Sequence, residues 1–92
     1  MSKLKSQKEI AKEVKALEGM VDKIPPFTAF GDNNVERINA EIDVLKKDMD
    51  EDSIFEEWGD GTEAQDAARY ALSWREGYEE ESPSEGWKPL IK

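Results

Sequence analysis

The clearest candidate for metal binding in this chain is a run of three aspartates at alternate positions. They are Asp48, Asp50 and Asp52, and their spacing fits the coordination of a cation. Alternating carboxylates occupy the first, third and fifth positions of an EF-hand calcium loop. The rest of that pattern is missing, because the sixth position is Ser53 where the turn needs glycine and the twelfth is Gly59 where a glutamate should bind. We interpret the segment as an acidic helix end and cap. Weak calcium binding is an alternative.

Neighbouring carboxylates offer a second chemistry, general acid and base catalysis. Glu56 with Glu57, and Asp60 with Glu63, are pairs of the type used in glycoside hydrolysis. Such a pair needs one carboxyl buried against apolar groups, and nothing near these residues predicts burial. The chain has no histidine and no cysteine, which removes thiolate nucleophiles, disulfides and the usual zinc sites. We expect no enzyme activity, no cofactor and no metal site.

Acidic residues are distributed unevenly along the 92-residue chain. The formal net charge is -9, and sixteen carboxylates lie from Glu41 to Glu85 against only four lysines and arginines. The first 24 residues are slightly basic. Surplus like charge destabilises a compact chain, so a field this one-sided indicates a basic partner. Direct binding to DNA or RNA is not expected, because their phosphates would repel the protein.

Helices are the elements expected to position these residues. The predicted all-α fold is a small bundle of three main helices at about 6–24, 34–48 and 63–77, with a short helical turn at 53–58. No alternating pattern predicts a half-buried strand, although a short β pair involving residues 27–30 or 88–91 stays open. The chain is expected to form a single domain, with residues 79–92 as linker and extended tail.

Two apolar stripes define the first two helices. They consist of Ile10, Val14, Leu17, Val21 and Ile24, and of Val35, Ile38, Ile42, Leu45 and Met49. We expect the stripes to face each other in an antiparallel pair. Between them, residues 25–34 are predicted to form an ordered loop that buries Phe27 and Phe30. Asn33 or Asn34 would then cap the second helix.

Capping signatures mark the other helix ends. Ser6, Ser53 and Thr62 each precede a glutamate or glutamine by three positions, the spacing of a capping box. Gly77 is a candidate C-cap, in which case Tyr78 would pack back on the last helical turn. The last main helix carries a face of mostly small residues that allows close packing, formed by Ala64, Ala67, Ala68, Ala71 and Leu72.

These features favour an acidic protein-binding protein that occupies the basic, nucleic-acid-binding surface of a partner protein or complex. Carboxylates three or four positions apart on a helix lie about 5–6 Å from each other, a scale comparable with backbone phosphates. The predicted partner-binding residues are Asp48, Asp50, Glu51, Asp52, Glu56, Glu57, Asp60, Glu63 and Trp87. Small size, surplus acid and no enzyme machinery resemble, in general character, phage-encoded inhibitors that block restriction or CRISPR complexes.

A structural or accessory subunit is the main alternative. Its apolar helix faces would form a homo-oligomer, such as a homodimer, or a hetero-oligomer, and its charge would only maintain solubility. Salt dependence separates the two hypotheses, because an electrostatic interface weakens with ionic strength and an apolar one does not. The sequence has no signal-peptide pattern and no apolar run of about 18 residues, so a cytoplasmic protein is expected.

Overall fold

Five helices form the described part of the protein. A computed structural model describes residues 4–24 and 29–88, with side chains from Asn34 onward in the second range. The helices are α1 (Gln7–Lys23), α2 (Ala29–Lys46), α3 (Glu51–Trp58), α4 (Glu63–Arg75) and α5 (Pro83–Trp87). Within these ranges no strand occurs, and no helix is long and apolar enough to cross a membrane. The predicted all-α fold is confirmed.

The predicted capping box at the start of α1 is present. The Ser6 hydroxyl accepts a hydrogen bond from the Glu9 amide, and the Glu9 carboxylate accepts one from the Ser6 amide. This exchange satisfies two of the amide groups that a helix start leaves without helical partners. The apolar stripe then faces inward, with Leu17 fully buried.

The start of α2 differs from the prediction. The helix begins at Ala29, so residues 29–34 are helical rather than part of a loop. Neither Asn33 nor Asn34 is its cap, and Asn34 is buried inside the helix. Glycine and asparagine each cost at most about 1 kcal/mol relative to alanine in a helix, a preference that tertiary packing can override. Phe27 and the side chain of Phe30 lie outside the described residues.

The first two helices run antiparallel, as expected. The carboxylate of Glu18, in α1, lies 3.9 Å from the ammonium nitrogen of Lys46, the last residue of α2. Val21, which comes later in α1, shares a surface cleft with Ile42, which comes earlier in α2. Because α2 also packs extensively against α4, it lies between α1 and α4 and contributes to both interfaces.

The predicted small-residue face of α4 is confirmed. All four of its alanines are buried, which brings the α4 backbone close to its neighbours. The buried core draws on every helix and consists of Ile10, Val14, Leu17, Ile24, Ile38, Ala40, Ile42, Val44, Leu45, Ile54, Ala64, Ala68, Ala71, Trp74 and Trp87. Each fully buried large aliphatic side chain contributes about 1.5–3 kcal/mol.

The short third helix begins earlier than predicted. It starts at Glu51, and its cap is Asp50 rather than Ser53. The Asp50 carboxylate accepts a hydrogen bond from the Ser53 amide at 2.9 Å, so the residue predicted as the cap is the donor inside the first turn. The last residue of the helix is Trp58, and Gly59 follows it as the C-cap. The φ of Gly59 is 80°, in a region that favours glycine.

At the end of α4, Gly77 terminates the helix as predicted, but the predicted packing of the Tyr78 side chain on the last turn is absent. Gly77 has φ 90°, and the Tyr78 amide donates to the Ser73 carbonyl. Tyr78 itself is 76% exposed, so the prediction that it packs back was wrong. The predicted extended tail is also corrected, since residues 83–87 form α5. Pro83 favours this helix at its first position, where no amide hydrogen is needed.

Candidate functional site

Carboxylates around α3 form the candidate binding surface. We call these residues the α3 surface: Asp48, Asp50, Glu51, Asp52, Glu56, Glu57, Asp60 and Glu63. All eight are exposed, as a binding role requires. They lie in α3, just before it, and in the turn that leads into α4, and α3 packs directly against α4.

Internal ion pairs neutralise only part of this surface. Asp48 lies 3.2 Å from the Arg75 guanidinium, and Glu51 lies 3.4 Å from that of Arg69. The other six carboxylates have no lysine or arginine within 4.0 Å in the described part of the chain. The α3 surface therefore retains most of its negative charge.

The packing of α3 determines which carboxylates point outward. Ile54 is fully buried and Trp58 packs against the core, so these two residues mark the inner side of the helix. Asp52 and Glu56 lie one turn apart on the opposite side, following the 3.6-residue period. Phe55, beside them, is 55% exposed and adds an aromatic ring to the acidic surface.

The three aspartates of the EF-hand-like pattern have separate structural roles. Asp48 adopts a positive φ of 52° at the end of α2 and pairs with Arg75. Asp50 caps α3, and this hydrogen bonding to the Ser53 amide lowers the pKa of Asp50. In the described residues, no group of three aspartate or glutamate side chains is placed to hold a metal ion.

Trp87 does not belong to the α3 surface. It was predicted to bind a partner from a tail, but it is only 6% exposed, and its indole N–H donates to the Glu41 carboxylate. The guanidinium of Arg37 lies over its ring, 4.7 Å from the ring centre. The position of Trp87 therefore indicates a structural role in docking α5.

Two buried carboxylates were missed by sequence reasoning. Glu13 accepts hydrogen bonds from the Ser84 amide at 2.5 Å and from the Ser84 hydroxyl at 2.9 Å. Glu41 is 3% exposed. A signal was available, because each glutamate lies three positions after an isoleucine of the apolar stripe, Ile10 or Ile38, and so shares its helix face.

Burial also changes the protonation of Glu41. Removal from water raises its pKa from 4.5 to about 8. The hydrogen bond from Trp87 and the charge of Arg37 partly offset this effect, whereas the nearby charge of Glu13 adds to it. At neutral pH most Glu41 side chains are therefore uncharged.

Arg75 is a buried cation that the sequence did not reveal. Its guanidinium donates to the carbonyls of Val44 and Met49, at 3.2 and 2.9 Å. These carbonyls lie at the end of α2 and just beyond it, where a helix leaves acceptors without helical partners. Arg75 thus joins α4 to the end of α2 and, through Asp48, to the α3 surface.

An open cleft of about 330 Å³ lies among α2, α4 and α5. Its lining combines one arginine with carboxyl groups, aromatic rings and small residues. These residues are Arg37, Glu41, Asp66, Ala67, Tyr70, Glu81, Pro83, Gly86 and Trp87. The Tyr70 hydroxyl donates to the Glu81 carbonyl at 2.7 Å, which connects α4 to the segment before α5. We call this feature the α5 cleft.

Comparison of the chain with known protein families, with curated proteins and with solved structures found no match. The described surface offers an acidic area around α3 and an acidic, aromatic cleft beside α5. Both features favour ligands with positive charge.

Proposed function

We propose that this protein is an acidic binding module that occupies the basic, nucleic-acid-binding surface of a partner protein or complex. The α3 surface would make the contact, with its carboxylates in the positions that backbone phosphates otherwise fill. In this proposal the protein inhibits its partner by competing with nucleic acid and catalyses no reaction. That is the mode of action of a nucleic-acid mimic of the phage anti-restriction or anti-CRISPR type.

One observation carries the proposal: six exposed carboxylates of the α3 surface have no internal cation within 4.0 Å in the described residues. Two of them, Glu56 and Glu57, lie in the last turn of α3, which contains no basic residue. Negative charge at this end of a helix opposes the helix dipole and is unfavourable by about 0.3–1 kcal/mol per group. Charge that costs stability in the free protein is explained if a basic partner uses it.

The oligomer alternative has less support from the structure. The predicted apolar stripes are largely used inside the bundle, where they form the core. In the described part of the chain, the exposed large apolar residues are only Leu4, Phe55 and Tyr78. Such isolated residues are normal on a protein surface and do not by themselves form an interface.

A displacement assay tests the proposal. Purified nucleic-acid-binding proteins with basic grooves would be loaded with a fluorescent oligonucleotide, and release would be followed by fluorescence anisotropy as this protein is added. We expect displacement from at least one such protein. Displacement should weaken strongly when salt is raised from about 0.1 M to about 1 M, which shortens the Debye length from about 10 Å to about 3 Å.

Two charge-matched variants locate the contact. Reversal of Asp52, Glu56 and Glu57 to lysine should abolish displacement while circular dichroism shows unchanged helicity. The matched control reverses Glu79, Glu80 and Glu85 to lysine, which changes the net charge equally but leaves the α3 surface intact. Equal displacement by wild type and the α3 variant would contradict the proposal, as would binding that does not respond to salt.

A further inference from the structure

The α5 cleft has the composition of a site for an organic cation. Asp66 and Tyr70 lie one turn apart on α4, so their side chains share a face of that helix. The Tyr70 hydroxyl binds the Glu81 backbone, and a Cβ atom added to Gly86 would lie 3.5 Å from the Glu81 carboxylate. These contacts place the Glu81 carboxylate over α5, at the same cleft as Asp66.

Electrostatic effects on Tyr70 report the potential inside this cleft. Burial and the negative charges of nearby carboxylates raise the pKa of its phenol. The carboxylates responsible are Glu81, Glu79 and Glu85, together with Glu41 once it ionises at alkaline pH. Negative charge beside the phenol favours a cationic ligand over an anionic one.

The cleft also has free acidic groups and an aromatic wall. Asp66 and Glu81 are exposed, and neither has a lysine or arginine within 4.0 Å in the part of the chain described. Arg37 already covers the Trp87 ring, so the phenol ring of Tyr70 is the aromatic wall that faces a ligand in the cleft. The volume of about 330 Å³ is within the range of small-ligand sites, about 300–1,000 Å³.

We propose that the α5 cleft binds a primary alkylammonium group, with the ammonium at the carboxylates of Asp66 and Glu81 and the alkyl chain against the ring of Tyr70. A free diamine and a lysine side chain of a protein both present this chemistry. The site is separate from the α3 surface and does not depend on the function proposed for it. Arg37 directs the ammonium toward α4, because its own positive charge repels a second cation near Trp87.

Nuclear magnetic resonance titrations at constant ionic strength test this site. The probes are pentane-1,5-diamine and a capped lysine peptide, with the matching norleucine peptide as an uncharged control and sodium chloride as a control for charge alone. We expect saturable shifts of the Trp87 indole N–H and of the amides of residues 66–70 and 81–87 with one or both amines. Stronger binding of the diamine supports a free amine as the ligand, and stronger binding of the peptide supports a lysine side chain.

Charge-matched variants distinguish the cleft from general attraction. The double variant Asp66→Asn, Glu81→Gln should weaken amine binding at least about tenfold, because both charged acceptors are lost. The control Asp52→Asn, Glu57→Gln removes the same charge from the α3 surface and should change amine binding less than about twofold. Tyr70→Leu should weaken binding by loss of the aromatic wall.

Three results would overturn the site: no saturable shift with either amine, equal shifts with the norleucine peptide or sodium chloride, or equal weakening by both double variants. None of these results bears on displacement by the α3 surface. Failure of displacement, in turn, leaves the amine titration unaffected.

Discussion

The α3 surface and the underside of α5 use the same type of side chain in opposite ways. On α3, carboxylates such as Asp52 and Glu56 are exposed and have no lysine or arginine within 4.0 Å in the described structure. Under α5, Glu13 and Glu41 are buried and accept hydrogen bonds from Ser84 and Trp87. The interior carboxylates therefore support the fold, whereas those on α3 remain available to a partner.

This difference shows that the acidity of a sequence does not by itself locate a binding surface. A buried carboxylate without partners would cost several kcal/mol, so each interior glutamate needs its donors in place. An exposed carboxylate needs none, because water solvates it. Substitutions of carboxylates, or of their partners, in each environment therefore test whether the two regions differ.

The largest expected effect is the pH dependence contributed by Glu41. Its pKa in the folded protein is about 8, against an ordinary value of 4.5, so the folded state binds this proton more tightly than the unfolded state. The contribution to stability is complete below about pH 4.5 and is lost as the pH rises through about 8. From about pH 5 to about pH 9 the free energy of unfolding should fall by about 4 kcal/mol.

The variant Glu41→Gln isolates this contribution. An amide cannot ionise, so urea denaturation of the variant should show a much flatter stability profile between about pH 5 and about pH 9. The variant should be more stable than wild type at the alkaline end. Parallel profiles for the two proteins would show that Glu41 is not protonated on folding, and would remove the contrast with the α3 carboxylates.

The next effect compares two arginines of α4. Arg75 is buried and binds two carbonyls as well as Asp48. Arg69 is exposed, and among the described residues it pairs with the exposed Glu51 alone. Arg75→Met should cost about 1–3 kcal/mol, because the Met49 carbonyl loses its donor. The Val44 carbonyl keeps the Met49 amide as a donor, and the exposed Asp48 is solvated. Arg69→Met should cost less than about 1 kcal/mol, as is usual for surface ion pairs.

Thermal or urea unfolding of the two variants checks this prediction. Methionine has nearly the helix propensity of arginine, so the difference between the variants reports the environment rather than the helix itself. Similar losses in both would mean that the contacts of the buried and the exposed arginine do not differ in energy, contrary to the structure.

Sequence patterns predicted most of the fold. Apolar stripes at helical spacing located α1 and most of α2, and the Thr62 cap located the start of α4, because these signals depend on neighbouring residues. The start of α2 was missed because Gly31 and Asn33, which favour turns, lie inside the helix, where each costs at most about 1 kcal/mol relative to alanine. The helical α5 was missed because contacts distant in sequence, such as Glu13 with Ser84, hold it in place.

The two candidate sites also differ in whether their residues are close in sequence or are brought together by helix packing. The carboxylates of the α3 surface are close in sequence, so they could be listed before the structure was known. The α5 cleft joins α2, α4 and α5, and its lining runs from Arg37 to Trp87. No local pattern brings such residues together, because their proximity depends on how the helices pack.

The smallest expected effect concerns the outward carboxylates themselves, and it has the opposite sign. Glu56 and Glu57 lie in the last turn of α3, where negative charge opposes the helix dipole. Glu56→Gln, Glu57→Gln should therefore raise the free energy of unfolding by about 0.3–1 kcal/mol in low-salt urea denaturation. The control Glu51→Gln, in the first turn and paired with Arg69, should lower it by a similar amount. A clear loss of stability in the double variant would mean that these glutamates support the fold, and the argument that they are kept for a partner would fail.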